Sequence, residues 1–169
     1  MTGKFEDLAD AGRKVAELVD PVADSIVLAV LPNGVPAALA LGERHGLPVY
    51  GVSVERGYLA RVAALPVAIE GQPEVNLADR PLLVVDDGVE TGSAALAVGK
   101  ALRDLGASEV TLVVPVCPRE AEAKCTHLYD EIVAADRPMV RRSLRWHYVN
   151  FDVLDDAEAL ARLTEYVAR

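Results

Sequence analysis

The stretch Leu82-Leu83-Val84-Val85-Asp86-Asp87-Gly88-Val89-Glu90-Thr91-Gly92-Ser93-Ala94-Ala95 changes character twice. Its apolar opening, Leu82 to Val85, has no alternation, which is how a strand buried on both faces reads. Two carboxylates, Asp86 and Asp87, stand at the strand's end. Two glycines follow, Gly88 and Gly92, with Thr91 and Ser93 flanking the second. From Ala94 the pattern is helical, with Leu96, Val98 and Leu102 among alanines. The order is strand, polar loop, helix N-terminus. Such a loop aims backbone N–H groups and two hydroxyls at an anion, and the helix dipole adds to the attraction. The carboxylates repel that anion and suit hydroxyls or a cation. A phosphate at one end with sugar hydroxyls at the other describes a ribose 5-phosphate.

This stretch resembles the phosphoribosyl-pyrophosphate (PRPP) motif of the type I phosphoribosyltransferases: four apolar residues, two acids, and a loop of small residues. The resemblance implies that Asp86 and Asp87 hold the ribose 2′- and 3′-hydroxyls. It implies that the loop around Gly88, Val89, Glu90, Thr91, Gly92, Ser93 and Ala94 takes the 5′-phosphate, mainly through backbone N–H groups with Thr91 and Ser93. Glu90 occupies the place where purine-using relatives carry an acid near the base nitrogen, which makes it a candidate general base or acceptor contact. The same pattern also reads as an acid pair closing a strand and a hydroxyl-capped helix without a ligand.

Working outward, Ser25 to Leu31 is a second buried-strand run, ending at Pro32-Asn33-Gly34-Val35-Pro36. A helix pattern follows, and Gly46 suits its C-terminal end. In the family this turn is the pyrophosphate loop, often Pro-Arg-Gly-Gly with a cis peptide. Here Pro32, Asn33 and Gly34 stand in it, with Asn33 in place of the arginine and one glycine fewer. An arginine holds a diphosphate bidentately and an asparagine does not. Pro48 to Val54 is a third strand. Family members carry a basic residue and a mobile loop beyond it, for which Arg56 and Arg61 are the candidates, with no lysine present. The apolar content of residues 62 to 76 favours a packed hairpin over a polar lid. Further strands are expected at Glu109 to Val116 and Asp130 to Ala135, with a helix over Arg119 to His127 between them. Strands alternating with helices argue an α/β fold with a doubly wound, mainly parallel sheet.

Phe5, Leu8, Ala11, Val15 and Leu18 recur at helical spacing, and this opening resembles that of a bacterial branch of predicted phosphoribosyltransferases. Residues 139 to 153 break the strand–helix rhythm. They hold the basic cluster Arg141, Arg142 and Arg145, then Trp146, His147, Tyr148 and Phe151. The family builds a small hood over the acceptor from this region and the N-terminus, so Trp146 and Tyr148 are candidate acceptor contacts, and Arg56 and Arg61 candidate diphosphate contacts. The same aromatics equally fold the tail against the core. His147 reads as structural. From Asp155 onward the pattern is a terminal helix. The expected organisation is a single domain over residues 1–169, with its core at about 22–138 and the hood and tail from 1–20 and 139–169.

The chain has 169 residues, 51% of them hydrophobic, and a net charge of −9. It has length and apolar content for a sizeable core. An acidic chain lacks the basic face that non-specific nucleic-acid or anionic-membrane binding needs, so neither partner is expected. No apolar run approaches a membrane span and the N-terminus lacks a signal peptide's apolar core, so the expected location is cytoplasmic. Cys117 and Cys125 form no C-x-x-C pattern, and reduced thiols are expected.

The reaction implied by the resemblance displaces pyrophosphate from C1 of PRPP by an acceptor nitrogen. Mg²⁺ is carried by the substrate diphosphate rather than by a protein metal site, and a homodimer is expected. The alternative is a module that binds PRPP or a nucleotide without turnover, which Asn33 and the missing lysine favour. A receiver-type phosphoacceptor is a weaker third reading, because receivers carry the Asp-Asp pair on their first strand.

Overall fold

The computed structural model describes residues 4–54, the backbone of 62–67, and residues 77–167 and 169. Strands β1 (Ile26–Val30), β2 (Val49–Val54), β3 (Val62–Val67), β4 (Leu82–Val85), β5 (Val110–Val116) and β6 (Glu131–Asp136) form one sheet in the order β3-β2-β1-β4-β5-β6. Five strands run parallel, and β3 lies antiparallel to β2 at the edge.

Helices cover both faces of the sheet, which is why β1, β4 and β5 are apolar without alternation. Helices α3 (Ser93–Asp104) and α4 (Arg119–Cys125) cover one face. There Ile26, Leu28, Val84 and Leu112 pack with Val98, Leu102 and Cys125. Helices α1 (Leu8–Ala16), α2 (Val35–His45) and α5 (Asp156–Val167) cover the other. There Val27, Ala29, Leu83, Val85 and Val113 meet Val15, Leu41 and Leu163. Neighbouring residues of each strand therefore serve opposite faces. Gly46 closes α2 in the left-handed conformation, as its position in the sequence suggests.

The opening helix is shorter than its apolar spacing implies. It starts at Leu8, where the Asp7 carboxylate accepts the Asp10 N–H at 2.7 Å, and ends at Ala16. The chain then turns, with Leu18 N–H on the Val15 carbonyl. The turn leaves Leu18 54% exposed, outside the core to which its spacing assigned it. Residues 62–67 form an edge strand antiparallel to β2, and because 68–76 lie outside the described residues the hairpin expected over 62–76 does too.

Strand order places the switch point between β1 and β4. After β1 the chain moves to β2 on one side, and after β4 it moves to β5 on the other. The connections leaving the carboxyl ends of β1 and β4 diverge and open a crevice, which is where open α/β sheets bind ligands. The two loops singled out in the sequence are these two connections.

Candidate functional site

The first loop, Leu31 to Gly34, leaves β1 through a cis Leu31–Pro32 peptide. A Cβ on Gly34 would lie 2.5 Å from the Val85 carbonyl oxygen and 2.6 Å from that of Val30. Backbone cannot yield to such a contact, so only glycine lets the turn lie against the end of β4. This close approach brings Asn33 to the acid pair. Its carboxamide lies close enough to the Asp87 carboxyl to favour that group's charged form. Its Oδ1 also accepts the Leu154 N–H at 2.9 Å, which joins the loop to the segment entering α5.

The second loop begins with the acids. Asp87 is buried and Asp86 partly so. Asp86 Oδ1 accepts the Asp87 N–H at 2.8 Å. Burial, then the neighbouring Asp87 charge, holds the Asp86 carboxyl well above the usual carboxylate range. Burial also pushes Asp87 up, against hydrogen bonds from Asp86 and Asn33 that favour its charged form. No ion pair among the described residues involves either carboxyl. Two desolvated carboxyls side by side suit hydroxyls or a cation.

Beyond them Val89 N–H is anchored on the Val116 carbonyl at 2.8 Å. Gly92, with φ of 91°, turns the chain into α3. A side chain at that φ would be strained. The N-cap of α3, Gly92, supplies no side-chain bond, while Thr91 Oγ1 accepts the Ser93 N–H at 3.3 Å and lies 3.0 Å from Ser93 Oγ. The helix N-terminus, two hydroxyls and the loop backbone thus face one space.

That space is a cavity of about 440 Å³. Its walls are Pro32 and Asn33 from the first loop and every residue from Asp86 to Ala95 from the second. Val30, Val84 and Leu112 form its floor. The structure therefore unites the candidate ribose, phosphate and pyrophosphate residues, with Gly34 immediately behind them. Arg56 and Arg61 lie outside the described residues.

The segment after β6 forms a strap that reaches the cavity at Leu144. The Glu90 carboxylate accepts the Leu144 N–H at 2.7 Å, and the Leu144 side chain joins the cavity wall. Tyr148 sits differently from an acceptor contact. Its ring is buried, 5.5 Å from that of Phe5 and 5.0 Å from that of Phe151, and its hydroxyl donates to the Asp87 carbonyl at 2.6 Å. Trp146 is 46% exposed with the Arg142 guanidinium 4.5 Å from its ring centroid. Neither aromatic lines the cavity. The N-terminus braces the strap through Phe5 N–H on the His147 carbonyl and Val149 N–H on the Phe5 carbonyl. His147 is buried, its Nδ1 3.8 Å from Asp136, and burial lowers its pKa, so it serves packing. Cys117 and Cys125 are free and buried, and burial pushes the Cys117 thiol up to about 12, so it is not a thiolate.

Sequence reading missed Leu144 and the Asn33–Leu154 bond. Leu144 is a single apolar residue inside a basic run, and no spacing rule marks it.

The architecture is that of the type I phosphoribosyltransferase fold. The chain is 22% identical to the Thermus thermophilus protein TT1426, whose crystal structure superposes with a TM-score of 0.81 over 96% of this chain and 99% of that one. Orotate phosphoribosyltransferase from Aeropyrum pernix is 26% identical, with a TM-score of 0.54 over 75% of this chain and 69% of that one. A Mycobacterium tuberculosis protein named "Putative phosphoribosyl transferase" is 27% identical over 94% of this chain. The chain spans 46% of that relative's length. No family model matches. These likenesses show the type I phosphoribosyltransferase fold and a sequence similarity to proteins that carry the phosphoribosyltransferase name.

Proposed function

We propose that this domain binds PRPP and transfers its ribose 5-phosphate to a nitrogenous acceptor, releasing pyrophosphate. The observation that carries this reading is that the acid pair and the N-terminus of α3 open onto one cavity at the switch point. The loop from Glu90 to Ala94 would take the 5′-phosphate. Asp86 and Asp87 would accept hydrogen bonds from the ribose hydroxyls, and their raised pKa values make them strong acceptors once ionised. The turn Pro32 to Gly34 would border the diphosphate. In the reaction the C1–O bond to the diphosphate breaks and its electron pair leaves with pyrophosphate. A bond forms from the acceptor nitrogen to C1, and the nitrogen's proton passes to solvent or a nearby base. Holding both ends of the ribose fixes C1 between the incoming and outgoing groups.

The donors the acid pair offers are oxygens, the chemistry Mg²⁺ prefers, so the site fits a Mg²⁺–PRPP complex. Mg²⁺ bound by the diphosphate would neutralise the leaving group's charge.

A second reading is a module that binds PRPP or a nucleotide without turnover. One observation favours it: Asn33, standing where the family has arginine, is already engaged by the Leu154 N–H. Calorimetric titration decides between the two. PRPP with Mg²⁺ binding more tightly than ribose 5-phosphate, followed by acceptor-dependent pyrophosphate release, supports transfer. Equal binding of monophosphates without preference for PRPP supports the second reading, and no binding of any of them overturns both.

A further inference from the structure

The Glu90 carboxylate is bonded to the chain 54 positions later in sequence, through the Leu144 N–H at 2.7 Å. That bond fixes Leu144 at the start of the short 3-10 turn Leu144–His147. The Leu144 side chain leans onto Gly88, where a built Cβ would meet Leu144 Cδ2 at 2.5 Å. Gly88 directly follows the acid pair and lines the cavity, as Leu144 does. The strap therefore delivers one apolar side chain to the site, and Glu90 holds it there.

Which side of the ribose Leu144 faces follows from what the other walls hold. In the reading proposed above, the acids take the 2′,3′ edge and the loop before α3 takes the 5′ end. The C1 edge is left between the Pro32–Asn33 turn and the strap. In a displacement the leaving group and the acceptor occupy opposite faces of C1. The turn is polar and suits the diphosphate, whereas Leu144 is apolar and suits the face of a planar ring.

We propose that Glu90 is a positioning residue that clasps the strap onto the site, so that Leu144 forms the apolar wall against which the acceptor packs. The proposal rests on the phosphoribosyltransferase reading. It assigns acceptor recognition to Leu144 rather than to Trp146 or Tyr148, and it gives Glu90 a task that needs a hydrogen-bond acceptor but no charge.

The test compares ribose 5-phosphate with AMP and UMP by calorimetry, on the wild-type chain and on Leu144→Ala, Glu90→Ala and Glu90→Gln. The ratio of nucleotide to ribose 5-phosphate affinity isolates the base from the sugar phosphate. In the wild type at least one nucleotide binds more tightly than ribose 5-phosphate. Leu144→Ala lowers that ratio roughly five- to tenfold, the scale of losing a few buried methyl or methylene contacts. Glu90→Ala lowers the ratio similarly, whereas Glu90→Gln, whose amide oxygen still accepts the Leu144 N–H, keeps it near wild type. A ratio unmoved by Leu144→Ala, no wild-type preference for either nucleotide, or equal losses in the Gln and Ala variants of Glu90 each overturns the proposal. Failure of the wild type to bind ribose 5-phosphate instead overturns the reading beneath it. Leu144→Ala removes no hydrogen bond, so it gives a result even if Glu90→Ala folds poorly.

Discussion

The Tyr148 hydroxyl donates a 2.6 Å hydrogen bond to the backbone carbonyl of Asp87, and both residues are buried. The bond pins the strap beneath the acid pair at the residue that bears one of its carboxyls. Tyr148 is also the ring joining Phe5 of the N-terminal segment to Phe151, so three distant parts of the chain meet at the site's edge.

Tyr148→Phe keeps the ring and removes the donor, leaving the Asp87 carbonyl without that partner. A buried acceptor stripped of its donor costs about 1–3 kcal/mol. Urea unfolding should show a loss of this size, and ribose 5-phosphate should bind more weakly because the backbone carrying Asp87 is freed. A variant as stable as wild type would mean that the ring contacts alone hold the strap.

The acid pair makes stability depend on pH. A carboxyl raised in the folded state binds more protons folded than unfolded, so its contribution is fullest below the unfolded value of about 4 and is lost as pH rises through the folded one. Both Asp86 and Asp87 are raised, so unliganded protein should lose stability over that rising window. Asp86→Asn removes one buried charge and the repulsion on the other. It should gain on the order of 1 kcal/mol at neutral pH and show a flatter pH profile. The same variant should lose ribose 5-phosphate binding, which separates what the pair does for function from what it costs the fold. Unchanged binding would remove the ribose assignment.

The sheet was legible because its strands are buried on both faces and announce themselves as unbroken apolar runs. The acid pair and phosphate loop were legible because all their residues are local: strand end, loop and helix start lie within Leu82 to Ala95. What could not be read was long-range. Asn33 reads as a weakened pyrophosphate turn, yet its carboxamide spans to Leu154 and Asp87. Tyr148 has the composition of a stacking aromatic, and only the fold shows its face covered by Phe5 and Phe151 and its hydroxyl engaged. Leu18 fits helical spacing, but the helix ends at Ala16, and periodicity carries no information about where a chain turns.

Ser93 stands at the first position of α3 with its hydroxyl 3.0 Å from that of Thr91. If the loop takes a phosphate, one of these hydroxyls donates to it. Ser93→Ala should then weaken ribose 5-phosphate binding by about 1.5–3 kcal/mol, the scale of a hydrogen bond to a charged group. Folding stability should change little, because the hydroxyl is at the surface of an open cavity. Calorimetry showing no loss would assign the phosphate to backbone N–H groups alone.

Asn33 offers the sharpest separation of charge from geometry. Asn33→Asp keeps an oxygen for the Leu154 N–H but puts a third carboxyl in place of the neutral amide near Asp87. At low pH, where the acids are protonated, the variant should be nearly as stable as wild type. As pH rises, like charges crowd one buried site and the raised pKa values pull protons onto the folded form. The variant should therefore fall progressively below wild type, by about 1–3 kcal/mol at neutral pH. Asn33→Ala loses the Leu154 partner instead and adds no charge, so its deficit should be about 1 kcal/mol and largely independent of pH. Urea unfolding of both variants across pH 4 to 8 checks this. Parallel curves would show that Asn33 matters only as a tether to Leu154, and a deficit that opens with pH in the aspartate alone would show that it also sets the charge of the acid pair.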